Sequence, residues 1–494
     1  MRFKILSLLA AAATLGAVQA ASAADLPVKA PVYKAPAAVV TSNWTGFYLG
    51  AGAGYGAVEI NHQFLNDDGS LNQSDPGGGH GALVTGIIGY DYQVSDRVVA
   101  GVFADFDFSF WPSKWSQIWS DPVNTGTGQF KRDRGWSLGA RLGWLTTPNT
   151  LLYVPFGFIQ SHYTWDGFYF SSDNTDTTYA KSSNGWFVGA GIETQLAGNW
   201  SLRGEYRYAS LTGFCAGSSA TQTTNICAGT NNHVGFAVPI GDIVEQSGRV
   251  ILAYKFGQSR PNSQPAAGFA NAPASPAANH WTGFYAGAGI GYGAIAITPT
   301  LYDDAGSFSN AFENGGRGGL ITGVIGYDYQ LSRQFVAGVF ADYDVSAMAY
   351  KWSCGSLCTL APASGKFERD RGWSLGARLG WLATPDTLLY VPGGFTQSHY
   401  QWDGIIFSWD NNDTKYSKSS NGWFVGAGIE TQLVGNWSLR GEYRYASLGS
   451  FCIGSSANQT TSMCAGTDDF LTFPSRLQNI VEQTARLTLN YKFR

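Results

Sequence analysis

The chain is poor in the residues that build soluble helical proteins. Lys and Arg number 31 and Asp and Glu 35, so charged residues make up only 13% of the 494, and just 3 methionines occur. Runs rich in Leu, Glu and Lys, which favour helices, are missing. Beyond residue 23 there is no stretch of ~20 uninterrupted apolar residues, so the sequence predicts no transmembrane helix. The net charge of −4 argues against a nucleic-acid partner, because phosphate backbones bind basic surfaces.

The first residues have the pattern of an export signal. Arg2 and Lys4 precede an apolar stretch from 5 to 18, and the small residues Ala21 and Ala23 frame a cleavage site. The alternative, a membrane-spanning or buried helix, is less consistent with an apolar stretch this short. We therefore predict a signal peptide over residues 1–23.

The six cysteines form three pairs in the sequence. An even number of cysteines in an exported chain predicts disulfides. No histidine lies near the closely spaced Cys354 and Cys358, and the usual ligand spacings of zinc sites are absent, so no metal and no cofactor are predicted. The expected loop disulfides are Cys215–Cys227, Cys354–Cys358 and Cys452–Cys464. The glycines from 52 to 56 lack the helix that follows a nucleotide-binding loop.

The sequence is dominated by a repeat with an offset of 237 residues. Residues 132–145 are identical to residues 369–382, and Trp44 corresponds to Trp281. A unit of this length indicates duplication of a whole domain. A Pro/Ala-rich stretch, which cannot pack a core, precedes each copy. The predicted domains are a periplasmic segment at 24–43, unit 1 at 44–256, a linker at 257–280 and unit 2 at 281–494.

Each unit contains eight segments in which apolar and polar residues alternate. In the segment from 134 to 146, one face carries Trp136 and Trp144, and the other carries glycines and Arg141. This period of two is typical of strands with one apolar face. The segments are about 10–14 residues long, enough for a tilted transmembrane strand. In unit 1 they lie near 44–55, 82–93, 97–109, 134–146, 150–164, 185–196, 199–209 and 246–256.

Aromatic spacing indicates that the apolar face contacts lipid. Trp136 and Trp144 are eight residues apart, which corresponds to about 26 Å of strand. The lipid-facing band of an outer-membrane barrel is ~25 Å tall and is flanked by aromatic girdles. The predicted girdle residues are Trp136, Trp144, Trp200, Tyr208, Trp373, Trp381, Trp437 and Tyr445. Short turns alternate with long loops, and in unit 1 the long loops are predicted at 56–81, 110–133, 165–184 and 210–245.

The predicted fold is therefore all-β, with two tandem eight-stranded antiparallel transmembrane β-barrels. One sixteen-stranded barrel is the alternative. Two closures are favoured by the Tyr-Lys-Phe endings at 254–256 and 491–493, by the long linker, and by inward charges that nearly balance. The predicted lumen ion network comprises Asp105, Asp107, Glu193 and Glu205 with Arg141, Arg203, Arg207, Arg249 and Lys255. In unit 2 it comprises Asp342, Asp344, Glu430 and Glu442 with Arg378, Arg440, Arg444, Arg486 and Lys492.

His162 and His399 occupy equivalent positions near the outer ends of strands, where some barrels carry catalytic groups. Ser161 and Asp166 are close to His162 in sequence, but no third, orienting group can be identified. A histidine bonded to loop backbone explains the same pattern. We predict no enzymatic activity.

Several of these motifs resemble a known family. The Trp-Thr-Gly-Phe-Tyr opening at 44–48, the strand at 134–143 and the Tyr-Lys-Phe ending resemble RopB-like outer-membrane β-barrel proteins of alphaproteobacteria, related to small OmpA-type barrels. Family members usually carry one unit, and here Arg494 follows the final aromatic residue.

The resemblance implies a Gram-negative outer-membrane location and a porin-like or envelope-structural role with surface-exposed loops. It also implies contact with outer-membrane lipid and lipopolysaccharide. Recognition by the barrel-assembly machinery would act through Tyr491 and Phe493. An open pore formed by one large barrel is the alternative function, and a rim enzyme or an adhesin or receptor is less favoured.

Overall fold

The computed structural model describes eleven stretches of the chain, all of them after residue 42. They are 43–65, 71–118, 125–167, 177–196, 198–215, 239–257, 281–302, 308–354, 363–404, 414–453 and 475–493. The predicted signal peptide and most of the Pro/Ala-rich linker lie outside these residues. Within them, no helix is long and apolar enough to cross a membrane.

The regular structure of the described residues is β-strand throughout. In unit 1 the strands are β1 (Gly46–Leu65), β2 (Leu71–Gln93), β3 (Val98–Ile118), β4 (Thr125–Thr147), β5 (Thr150–Gly167), β6 (Thr177–Gln195), β7 (Trp200–Leu211), β8 (Phe214–Cys215) and β9 (Pro239–Lys255). In unit 2 they are β10 (Gly283–Tyr302), β11 (Phe308–Phe312), β12 (Asn314–Gln330), β13 (Phe335–Cys354), β14 (Ala363–Thr384), β15 (Thr387–Gly404), β16 (Thr414–Gln432), β17 (Trp437–Leu448), β18 (Phe451–Ile453) and β19 (Ser475–Lys492).

Each unit closes into its own antiparallel barrel. The first strand of unit 1, β1, pairs with both β2 and the last strand, β9. In unit 2 the equivalent strand, β10, pairs with both β12 and β19. The short strands β8 and β18 continue the outer ends of β7 and β17 and pair with β9 and β19. The prediction of two eight-stranded barrels is confirmed, and the single sixteen-stranded barrel is wrong.

The strands extend much further outward than the sequence predicted. The interval 56–81, predicted as a loop, is strand apart from the five residues between β1 and β2 that lie outside the described part. The reason is that the apolar side chains of β1 switch from its outward face to its inward face. Leu49 faces lipid within the membrane band, whereas beyond Tyr55 the buried side chains are Val58 and Ile60. Water replaces lipid outside the barrel there, so the apolar side chains point inward.

The two barrels also pair with each other through their outer strand ends. Ser74 of β2 pairs with Ser353 of β13, and Ala311 of β11 pairs with Ser116 of β3. The second contact repeats the first at an offset of 237 residues. Each barrel thus adds a short strand segment to the other, and main-chain pairing of this kind joins sheets firmly.

We predict that bulk at Gly52 weakens the closure of barrel 1. A Cβ atom there would lie 2.3 Å from the Val250 carbonyl oxygen of the closing strand β9, whereas a Cβ at the lipid-facing Gly86 meets nothing within 4 Å. Gly52→Val should lower the free energy of unfolding by about 1–3 kcal/mol. Gly86→Val is the matched control and should be nearly neutral. Urea unfolding in detergent followed by Trp fluorescence measures both, and equal effects would contradict the prediction.

Candidate functional site: the charged interior

The interior of each barrel buries six carboxylates and six cations. All twelve charged residues of barrel 1 are buried, and none is more than 6% exposed, so bulk water does not solvate them. An isolated buried charge would be very unfavourable, and each therefore needs a partner of opposite sign. The set in barrel 1 is Asp91, Asp105, Asp107, Glu193, Glu205 and Glu245 with Arg132, Arg141, Arg203, Arg207, Arg249 and Lys255.

The cluster nearest the periplasm is centred on Arg141 of β4. Its guanidinium lies 2.5 Å from the Asp91 carboxylate and 2.7 Å from that of Glu193. The Lys255 ammonium lies 2.7 Å from the Asp91 carboxylate, and the Arg203 guanidinium lies 2.9 Å from the Glu193 carboxylate. Five strands, β2, β4, β6, β7 and β9, supply these groups. The cluster therefore links opposite walls of the barrel.

A second cluster lies further outward. Arg207 is 2.6 Å from Asp105 across the lumen and also contacts its strand neighbour Glu205. The Tyr153 hydroxyl donates a hydrogen bond of 2.8 Å to Glu205. Arg249 lies 3.7 Å from Asp105 and so connects this cluster to the next one outward.

The outermost cluster is centred on Arg132. Its Nε is 2.8 Å from Glu245, and its Nη2 is 3.4 Å from Asp107. Asp107 also accepts a bond of 2.8 Å from Arg249. The Tyr163 hydroxyl donates to Glu245 at 2.6 Å. Ion pairs and hydrogen bonds thus occupy successive levels of the lumen.

Apolar residues close both ends of this charged interior. At the periplasmic end Trp44 is fully buried with Val99, Leu145 and Leu151, and its ring lies 4.4 Å from the Lys255 ammonium. At the outer end a larger cluster includes Ile60, Trp111, Phe130, Tyr163 and Ile243. Trp111 stacks at 4.6 Å on the Arg132 guanidinium, a cation–π contact. A hydrated path would have to pass both apolar layers.

Barrel 2 repeats this arrangement. Arg378 is 2.6 Å from both Asp328 and Glu430, and Arg444 is 2.7 Å from Asp342. The remaining pairs are Arg440–Glu430 at 3.0 Å, Arg444–Glu442, Arg486–Asp342 at 3.2 Å, Arg486–Asp344 at 2.6 Å, Arg369–Glu482 at 3.2 Å, Arg369–Asp344 at 3.3 Å and Lys492–Asp328 at 2.9 Å.

The structure brings together the predicted interior charges and adds three to each barrel. Asp91 follows Ile87 and Gly89 on the inward face of β2, so its alternation was a usable signal. Arg132 and Glu245 lie in the outer strand extensions that were predicted as loops. A register irregularity between Arg132 and Arg134 turns Arg132 inward while Arg134 stays exposed. Such a bulge leaves little trace in sequence.

Other predicted residues take different positions. Of the girdle residues, Trp136, Trp144, Trp200, Trp373, Trp381 and Trp437 are exposed on the outer wall. Tyr208 and Tyr445 are partly buried, and their rings contact Tyr292 and Tyr55 of the other barrel at 5.7 and 5.3 Å. Cys215 and Cys452 are each disulfide-bonded. Cys227, Cys358 and Cys464 lie outside the described residues, as does the side chain of Cys354.

The rim histidines contact carboxylates rather than nucleophiles. His162 Nδ1 lies 2.8 Å from Asp133, and His399 lies 2.7 Å from Asp370. Ser161 is fully buried on the inward face, opposite to the side chain of His162. His162 therefore cannot activate Ser161. Among the described residues, no group of three or more His, Cys, Asp or Glu side chains could hold a metal ion.

The sequence of this chain matches a known family of proteins. The outer membrane protein beta-barrel domain family matches residues 8–236 and again 265–493. The chain belongs to this family, in two copies, and is a protein of the Gram-negative outer membrane. It is 31% identical over 199 residues to the 31 kDa outer-membrane immunogenic proteins of Brucella melitensis and Brucella suis, covering 39% of this chain and 81% of each relative.

Solved structures with similarity include Ail of Yersinia pestis and a Pseudomonas aeruginosa FadL homologue. Ail is 15% identical with a TM-score of 0.22, over 43% of this chain and 99% of Ail. The FadL homologue is 11% identical with a TM-score of 0.26, over 91% of each chain.

We predict that removing the central cation of the inner cluster destabilises its barrel. Arg141→Leu leaves Asp91 and Glu193 short of a partner and should cost about 3–5 kcal/mol, as for other broken buried pairs. Arg378→Leu should have the same effect in barrel 2. The exposed Arg134, half of whose side chain contacts solvent, is the control. Arg134→Leu should change the free energy of unfolding by less than ~1 kcal/mol. Thermal unfolding in detergent measures all three, and a neutral Arg141→Leu would contradict a stabilising network.

Proposed function

We propose that the protein is a non-conducting, envelope-structural protein of the outer membrane. In this view the two closed barrels anchor outer strands and loops that are displayed at the cell surface. One observation carries the proposal: paired charges fill the lumen, and apolar layers lie above and below them. An eight-stranded barrel has an interior just wide enough for side chains.

The exposure of the interior charges supports a closed lumen. Arg203 and Glu193 are 1% and 0% exposed, although both lie on the inner wall. In a water-filled pore, wall charges would be solvated and need not pair. Here Glu193 contacts two guanidiniums and accepts a hydrogen bond of 2.6 Å from Ser201. Opening a path for solutes would require these contacts to break.

The alternative function, an open diffusion pore, depended on a single sixteen-stranded barrel. Closure of β1 on β9 and of β10 on β19 removes that route. A pore through either small barrel would have to pass the layer around Trp44, which is fully buried. The observations therefore favour an anchor over a diffusion channel.

Contacts with the envelope follow from the outer wall. Exposed apolar side chains such as Leu138 and Leu142 lie between Trp136 and Trp144 and suit lipid tails, and the outer girdle lies at the depth of lipopolysaccharide head groups. The Brucella relatives are described as immunogenic, which supports surface display. Tyr491 and Phe493, whose rings lie 5.3 Å apart at the end of barrel 2, are proposed as the assembly signal.

We expect the folded chain, residues 24–494, to be electrically silent in a planar bilayer, because both lumens are filled. Single-channel recording at moderate salt measures this, with a porin of known conductance reconstituted in parallel as the positive control. Insertion is verified by protease protection of the same vesicles. Stable, uniform conductance steps in most insertions would contradict the proposal and restore the diffusion-channel function.

A further inference from the structure

The contact between the two barrels has approximate two-fold symmetry. Thr150 lies against its own repeat equivalent, Thr387, at 3.2 Å between hydroxyl oxygens, and both are fully buried on the outer walls. At the outer end Gly78 lies against its equivalent Gly315, where a Cβ on Gly78 would come within 2.5 Å of the Gly315 Cα. Equivalent residues that meet in this way mark a two-fold axis running from the periplasmic to the outer end.

Side chains away from the axis repeat the symmetry within the membrane. Tyr208 packs on Tyr292 and Tyr445 packs on Tyr55, which are equivalent pairs at an offset of 237 residues. Between them, Ile429 of unit 2 lies 3.8 Å from the position of a Cβ on Gly204 of unit 1. A contact of this kind would serve equally well between two copies of the same unit, unless residues at the contact differ.

At three places the two units carry different residues, and there the contact is not repeated by the equivalent pair of residues. Glu59 of unit 1 forms an ion pair of 2.7 Å with Arg317 of unit 2. The residues equivalent to these two are Ala296 and His80, which cannot form the same pair. His80 in turn lies 3.6 Å from Glu313, whose equivalent in unit 1 is Pro76.

The third difference is steric. The Tyr443 ring of unit 2 lies against Gly248 of unit 1, so closely that a Cβ on Gly248 would come within 2.5 Å of the ring. The Tyr443 hydroxyl also donates to the Tyr55 carbonyl at 3.1 Å. The residue equivalent to Gly248 in unit 2 is Ala485, which already carries a Cβ. Tyr443 therefore fits unit 1 and clashes with a second unit 2.

Of the two charged contacts, the Glu59–Arg317 ion pair is the one that favours pairing of unit 1 with unit 2 over pairing of like units. Both contacts lie toward the outer strand ends, where Glu313 accepts a hydrogen bond from the Lys114 backbone and a His80 ring nitrogen lies 2.8 Å from the Tyr55 hydroxyl. Burial lowers the pKa of His80 to about 4 and raises the pKa of Glu313 to about 7, so His80 is neutral near pH 7. In a pair of two unit 1 barrels, Glu59 would face a neutral histidine instead of a guanidinium. In a pair of two unit 2 barrels, Arg317 would face Ala296.

We infer that this surface is a selective docking site whose partner is the other unit of the same chain and not a second copy of either unit. Charge at Glu59–Arg317 and shape at Gly248–Tyr443 make the selection. The pairing then rests on the surface itself and persists when the covalent linker is cut. Like-charge or overpacked variants of the surface lose it.

The test uses the full chain with a protease recognition sequence inserted between residues 257 and 280 and an affinity tag on unit 2. The protein is folded intact, cleaved in mild detergent and captured through the tag, and the fraction of unit 1 retained is measured. We expect the unmodified surface to retain most of unit 1. Glu59→Arg places like charges together and should weaken retention about tenfold. Arg317→Glu should do the same, and the double exchange Glu59→Arg with Arg317→Glu should restore retention.

Gly248→Ala gives unit 1 the residue of unit 2 and should also release it, whereas Ala485→Gly is the matched control and should not. Restoration by the double exchange cannot arise from misfolding, and the compact migration of unheated barrels in SDS gels checks folding of each variant. Separation of the unmodified halves on cleavage would overturn the docking site. Retention in Glu59→Arg and Gly248→Ala, or recovery of released units as like-with-like pairs in size exclusion, would overturn the selection.

Discussion

The structure depends on the pairing of charges that are buried inside narrow barrels. Six carboxylates and six cations lie inside each barrel, and every one is buried. Because most of the ion pairs join different strands, as Arg141 of β4 joins Asp91 of β2 and Glu193 of β6, the interior holds the wall together from within. The outer wall faces lipid, so moving its apolar side chains into the barrel would stabilise the fold little. The polar interior therefore stabilises the barrel as an apolar core stabilises a soluble protein.

Along each barrel, apolar side chains point outward in one part and inward in another. Within the membrane, lipid surrounds the wall and apolar side chains such as Leu138 point outward. Beyond the outer girdle, water surrounds the wall, and Val58, Ile60 and Phe130 turn inward to form an ordinary hydrophobic cluster. The strands continue through this change because backbone hydrogen bonding does not depend on which face is apolar.

This switch of the apolar face explains which parts of the fold could be predicted from the sequence. The repeat, the number of strands, the two closures and the lipid-facing direction could all be predicted, because in the membrane band the period of two holds without interruption from Trp136 to Trp144. The outer strand halves were predicted as loops because the period breaks where the apolar face switches sides. Arg132 and Glu245 were missed for the same reason, since both lie in those halves. Contacts between the barrels, such as Tyr208 with Tyr292, left no signal because an aromatic girdle residue and an aromatic interface residue have the same pattern.

The duplication has different consequences inside and outside the barrels. Several interior charges, such as Arg141, contact partners on more than one strand, so a change at one position leaves others unpaired, and the two copies have the same twelve charges at the same offsets. At the surface between the barrels each contact involves few residues, and Glu59 or His80 could be exchanged with a single compensating change across the contact. A symmetric contact between equal units thereby becomes an asymmetric one between unequal units without any change in the fold. The residues that distinguish the two units in their mutual contact therefore lie on the outer wall, where substitution is less constrained than in the filled interior.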